Sequence, residues 1–155
     1  MGFKHLFKVK MNWASVPKEV ISSSKQYHKT HQIAIEGKEV LNISAAKAFK
    51  GDPNLYNPED LLLASVSSCH MLWYLHLCSK NEIVVLEYTD NAVGVMTEST
   101  DGSGKFSSIL LQPTVVISKK EKIEQANELH AQANKMCFIA NSLNSNSLNI
   151  KYVLS

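Results

Sequence analysis

Two cysteines carry the most chemistry in this chain. Cys69 lies in Leu63-Ala64-Ser65-Val66-Ser67-Ser68-Cys69-His70-Met71-Leu72-Trp73, and Cys137 in Lys135-Met136-Cys137-Phe138-Ile139-Ala140-Asn141-Ser142-Leu143. Both runs read as apolar helix with the thiol deep inside. A thiol so placed can be a small core residue, because free cysteine is among the most buried residue types. Two of them on long helices of one small core are also a candidate disulfide. Such a bond needs Cα atoms about 4.4–6.8 Å apart, which crossing helices reach. A nucleophilic thiolate with a resolving thiol is the minimum equipment of a thiol peroxidase. Ser67, Ser68 and His70 make the surroundings of Cys69 polar for an apolar segment, and the small residues at 64, 65, 67 and 68 leave room for a close approach.

The other reactive side chains are weaker candidates. Cys78 follows Cys69 by nine residues, which in a helix is the opposite face and roughly 13 Å along the axis, so it reads as structural. Cys69 and His76 share a face but stand about 10 Å apart, too far to ligate one ion. Neither CxxC nor HxxxH occurs, so His70, His76 and His130 do not spell a metal site. Glu59 has a complete explanation as a first-turn carboxylate favoured by the helix dipole. Lys29 falls on the same face of a predicted strand as His31, Ile33 and Ile35, so its stem is partly covered.

The elements that must position these groups follow from periodicity and punctuation. Phe7, Val9, Met11 and Trp13 alternate with polar residues, the pattern of a half-buried strand. Tyr27 to Glu36 is a second strand, Gly37-Lys38 a turn, and Glu39 to Ser44 a third, giving an antiparallel meander. A loop over Ala45 to Tyr56 carries Gly51-Asp52-Pro53. Asn57-Pro58-Glu59-Asp60 is the clearest helix start: a capping Asn, Pro at the first helical position, then two acids. The helix runs from Leu61 to about Ser79, apolar on nearly every face, and is expected to be wrapped by sheet, by a partner subunit, or by both. Glu82 to Met96 reads as one strand, Thr100 to Lys105 as a hairpin turn, and Phe106 to Ser118 as the return strand. Lys119 to about Leu143 is a second long helix, and Leu148 to Leu154 a last strand. The fold class is α+β in a single domain over 1–155, with neither βαβ alternation nor a glycine-rich nucleotide loop.

Bulk properties narrow the function. The chain has 155 residues, 45% hydrophobic and 19% charged, enough for a real core. A net charge of +2 offers no basic stripe for nucleic acid. No stretch reads as a membrane span, the lysine-interrupted start does not read as a signal peptide, and three cysteines suit a reducing cytoplasm better than a disulfide framework. All sixteen Lys+Arg residues are lysine.

Asn57-Pro58-Glu59-Asp60-Leu61-Leu62 with Cys69 ten residues after the glutamate resembles the OsmC/Ohr family. So do Cys137-Phe138-Ile139-Ala140-Asn141-Ser142-Leu143, the Gly51-Asp52-Pro53 turn and the Gly102-Ser103-Gly104-Lys105-Phe106 hairpin. Ser68-Cys69-His70-Met71-Leu72 resembles an OsmC-type branch. The resemblance implies antiparallel sheets around two long helices in an intertwined homodimer. It implies reduction of organic hydroperoxides, and of hydrogen peroxide more weakly, with a dithiol reductant such as a dihydrolipoyl protein and no cofactor or metal. It makes Cys69 the peroxidatic thiol, Cys137 the resolving thiol, and Glu59 the carboxylate that holds an arginine against the thiolate. This chain has no arginine, and Lys29 is the positional substitute. Lysine can lower a thiol pKa but cannot make arginine's planar two-pronged contact. Glu59 and Cys69 are about 15 Å apart on a continuous helix. One site using both is therefore expected to take Lys29 and Glu59 from one chain and Cys69 and Cys137 from another. The alternative is a dimeric module that holds an apolar ligand, with the cysteines as bystanders.

Overall fold

The computed structural model describes residues 3–14, 27–143 and 149–152. The chain forms two compact units, Met1–Leu61 and Leu62–Ser155.

The first unit is the expected meander. β1 (Lys10–Asn12), β2 (His31–Ala34) and β3 (Leu41–Ile43) pair antiparallel in that order, with Met11 opposite Ile33 and Ile33 opposite Leu41. The β2–β3 turn closes through Lys38 N–H to Ile35 O (3.0 Å), with Gly37 at φ +75°, the left-handed position that favours glycine. The strands are shorter than their alternation predicts. Phe7, Val9, Met11 and Trp13, expected half-buried, are exposed among the described residues. After β3 the backbone is pinned twice, by Ser44 N–H to Tyr56 O (2.8 Å) and by Asp52 N–H to Ser44 Oγ (3.1 Å). Between them a 3-10 turn, Lys47–Phe49, brings Gly51 so close to Ala45 that a Cβ there would lie 1.7 Å from the Ala45 carbonyl oxygen.

α1 (Pro58–Lys80) carries the chain from the first unit into the second. Asn57 caps it as its sequence predicts: Oδ1 accepts the Asp60 N–H (2.9 Å) while Nδ2 donates to Asp60 Oδ2 (2.7 Å). The far end closes with Ile83 N–H on Cys78 O (2.9 Å) and Glu82 in the left-handed region, and the Lys122 ammonium donates to Asn81 O (2.9 Å) and Glu82 O (3.1 Å). Of the apolar helix surface, the stripe Val66, His70, Tyr74 and Cys78 is what the described residues bury fully. By length and composition α1 is apolar enough to cross a membrane, which corrects the reading that no segment is. A core helix passes the same test, and the Tyr74–Cys78 part of the stripe packs on Ala126, Leu129 and Ala133.

The two predicted long strands are each divided. β4 (Val85–Asp90) and β5 (Val93–Glu98) replace the first; β6 (Gly104–Leu111) and β7 (Pro113–Ile117) replace the second. Among the described residues, β4 pairs with β7 alone, and β5 with β6, both antiparallel. The break falls where Asp90 faces Pro113. Proline has no N–H for a ladder, and the Asp90 carboxylate takes the neighbouring Gln112 N–H instead (2.7 Å). β8 (Asn149–Tyr152) joins β6 in parallel, so that sheet is mixed rather than purely antiparallel. The outer parts of the predicted last strand, residues 148 and 153–154, lie outside the described residues.

The second long helix is also divided. A 3-10 turn, Lys120–Lys122, leads into α2 (Ile123–Met136), and α3 (Phe138–Leu143) follows. Cys137 between them is extended, φ −65° and ψ 108°. Cys137 is therefore not inside a helix but at a break between two.

Candidate active site

α1 presents Cys69 beside its buried stripe rather than on it. Cys69 precedes His70 by one residue, a rotation of about 100°, and its thiol is half-buried while His70 is sealed. The extended backbone at Cys137 turns that side chain into the core, where it is wholly buried. Its Sγ accepts the Ala140 N–H (3.4 Å), and its carbonyl accepts the Asn141 N–H (2.9 Å). Asn141 Nδ2 reaches back to Lys135 O (3.0 Å), bonding an end carbonyl of α2. No glycine or proline stands between 119 and 143, so the break carries no punctuation a reader of the sequence could find.

The structure brings the two thiols together. Cys137 is within hydrogen-bonding reach of Cys69, and its thiol is pushed up to about 11, first by burial and next by donating to the Cys69 sulfur. Cys137 thus stays protonated near neutrality and is shielded from solvent, whereas Cys69 is the thiol solvent can reach. Trp73, one turn beyond Cys69, packs edge-on against Phe138 (5.4 Å between centroids) and against His76 (5.7 Å). Leu72, Met136 and Phe138 are exposed, an apolar surface flanking both cysteines. Leu62, the remaining apolar candidate, is half-buried.

Cys78 lies in the core on the opposite side of α1, within hydrogen-bonding reach of Tyr74, and burial raises its thiol pKa. The histidines hold something the sequence reading missed. His70 Nε2 and His130 Nδ1 are 3.0 Å apart, fully buried, in nearly parallel rings that meet edge to edge. His70 shares the four-residue period of Val66 and Tyr74, and His130 sits among Ala126, Leu129 and Ala133, so periodicity was the available signal. Among the described residues, no three or more His, Cys, Asp or Glu side chains cluster as a metal site would need.

Lys29 and Glu59 belong to the first unit. The Lys29 ammonium donates to the Phe49 carbonyl and lies 5.7 Å from the Tyr27 ring centre. It lines a pocket of about 450 Å³ together with Trp13, Tyr27, His31, Phe49 and Pro58. Glu59 is in the first turn of α1, where its Oε2 is buried without a hydrogen-bond partner among the described residues. A buried carboxylate oxygen left unpaired is costly, so a donor placed against it would be stabilising. α1 is unbroken, which leaves Glu59 about 15 Å from Cys69 along its axis.

A family model described as OsmC-like protein matches residues 51–153. Comparison with curated proteins gave no match. Among solved structures, the chain is similar to an OsmC-like protein of unknown function from Vibrio cholerae, with 27% identity and a TM-score of 0.88, covering 98% of this chain and 100% of that one. An OsmC-like protein from Mycoplasma pneumoniae shares the fold at 14% identity and a TM-score of 0.74, over 99% of this chain and 98% of that one. An organic hydroperoxide resistance protein from Elizabethkingia anophelis does so at 18% identity and 0.71, over 99% of each chain. The match spans the Cys69 and Cys137 segments as well as the fold, and the chain belongs to the OsmC-like protein family.

Proposed function

We propose that the protein is a cysteine-based peroxidase that reduces organic hydroperoxides. The observation that carries this reading is the contact between a half-exposed Cys69 and a sealed, protonated Cys137. Cys69 thiolate attacks the terminal oxygen of R–O–OH. The O–O bond breaks, Cys69 becomes a sulfenic acid, and the alkoxide takes a proton to leave as the alcohol. Cys137 then attacks the sulfenic sulfur; its thiol proton and the hydroxyl leave as water, and the Cys69–Cys137 disulfide forms. A dithiol such as a dihydrolipoyl protein reduces that bond and is itself oxidised to a disulfide.

The exposed Leu72, Met136 and Phe138 favour an alkyl over a bare peroxide. Lys29 supplies the cation that the chain's missing arginine would have supplied, and Glu59 its carboxylate partner. Because α1 keeps Glu59 away from its own Cys69, the working site draws Lys29 and Glu59 from one subunit and the thiols from the other. The exposed apolar face of Phe7, Val9, Met11 and Trp13 supports the homodimer this requires. The protein works in the cytoplasm, without nucleic acid, membrane or cofactor.

Intact-protein mass after limited tert-butyl hydroperoxide tests the reading. The wild type loses two hydrogens; Cys137→Ser accumulates a sulfenate or a further oxidised adduct; Cys69→Ser does neither and consumes no peroxide. Peroxide consumption that survives Cys69→Ser overturns it. The lack of arginine favours a second reading, a dimeric carrier of an apolar ligand with weak or no peroxidase activity.

A further inference from the structure

We infer that His70 and His130 form a positioning pair for the two thiols: their buried imidazole-to-imidazole hydrogen bond locks α1 onto α2 and so holds Cys137 against Cys69 for disulfide closure. The inference rests on the proposed Cys69–Cys137 pairing, though not on which oxidant drives it.

The bond lies where such a lock must lie. His70 is the residue after Cys69, and His130 is seven residues, two helical turns, before Cys137. Nε2 and Nδ1 are 3.0 Å apart, and the rings lie edge to edge, centroids 5.4 Å apart with 10° between their planes. Tyr74 stacks face-on against His130 at 3.9 Å, so three contacting rings join α1 to α2. Neither imidazole reaches solvent, and apolar rings would fill that volume without desolvating two polar groups. What the nitrogens add is direction. A hydrogen bond fixes the sliding and rotation of one helix on the other, which an apolar contact leaves soft.

The bond is also built to survive protonation. Asp90 at the end of β4 acts on His70 through its charge, Tyr74 from α1 and Tyr88 from β4 flank His130, and Cys78 lies beyond Tyr74. Asp90 opposes the effect of burial on His70, while His70 adds to the effect of burial on His130. A single proton on either ring leaves an N–H on one side of the pair and a lone pair on the other, so the bond persists. Only a second proton would break the bond.

The test uses the full-length protein in glutathione redox buffers. There the Cys69–Cys137 disulfide plus two glutathione thiols exchange with the dithiol plus glutathione disulfide, and no peroxide is needed. The position of that equilibrium measures how closely one thiol is held to the other. His130→Leu and His70→Phe are expected to lower it by about tenfold to a hundredfold. His130→Asn, whose amide can take the Nδ1 position, is expected to recover most of it. A wild-type equilibrium in a folded His130→Leu protein overturns the inference, as does His130→Asn failing alongside it, or a wild type that forms no disulfide.

A measurement on the wild type needs no variant. If the pair and the thiols are coupled, the ring ¹⁵N shifts of His70 and His130 must change when the disulfide closes. Identical shifts in the dithiol and disulfide states overturn the inference. A chain that passes both tests yet consumes no hydroperoxide keeps the positioning pair and loses the peroxidase.

Discussion

Cys137, sealed in the core, is within hydrogen-bonding reach of the half-exposed Cys69, and its thiol is the donor. That relationship divides the labour between two otherwise identical groups. Burial keeps the Cys137 proton in place and shields it from solvent. In the proposed peroxidase, solvent-borne peroxide would meet Cys69 first, and a neighbouring Cys137 would limit the life of the sulfenate and its over-oxidation.

Cys78 is a control for this division. It is buried on the other side of α1 among Tyr74, Ile83 and Ala126. Cys78→Ala is expected to leave peroxide turnover within about twofold of wild type while lowering stability by about 1–2 kcal/mol, the cost of a small core cavity. Steady-state turnover and urea unfolding measure the two effects. A large loss of turnover without unfolding would make Cys78 part of the redox path.

Lys29 is the most exposed assumption of the proposed site. Lys29→Arg is expected to raise the rate of Cys69 oxidation, because a guanidinium can hold Glu59 and a peroxide oxygen in one fork. Lys29→Met is expected to lower it. Single-turnover oxidation of Cys69, with circular dichroism to check the fold, decides the matter, and no difference among the three proteins removes Lys29 from the site.

The buried imidazoles should make stability depend on pH. His130 is held down to about 4 from an ordinary 6.5, first by burial and then by His70, and burial lowers His70 too. Between those values the unfolded chain binds more protons than the folded one, so stability rises with pH. The contribution is complete above the unfolded value and is lost as pH falls toward 4. Between pH 7 and 5, His130 alone accounts for about 2 kcal/mol. Urea midpoints measured at both pH values should diverge by that amount in the wild type and much less in His130→Leu. Equal divergence in both proteins would assign the pH dependence to other groups.

Gly51 is expected to tolerate no side chain. A Cβ there would sit 1.7 Å from the Ala45 carbonyl oxygen, a clash with backbone that no rotamer relieves. Gly51→Ala should cost at least about 2–3 kcal/mol and disturb the loop before α1. Thermal unfolding of the variant checks this, and an unchanged midpoint would mean that the loop adjusts freely.

The sequence by itself determined whatever is encoded within a few residues. The Asn57 cap fixed the start of α1, Gly37 the β2–β3 turn, and alternation the antiparallel meander, because each depends on local backbone bonding. The spacing of Glu59, Cys69 and Cys137 marked the family before any coordinates did. Tertiary structure alone decided the rest. The long hairpin breaks at Asp90 and Pro113 because a carboxylate and an imide meet across two strands. Cys137 leaves its helix with no glycine or proline to announce it, and Asn141 bonds the carbonyl exposed there. His70 finds His130 sixty residues away. Periodicity can say that a side chain turns inward, but which side chain it meets depends on how two helices cross, and that is set by packing of the whole core rather than by any neighbour in the chain.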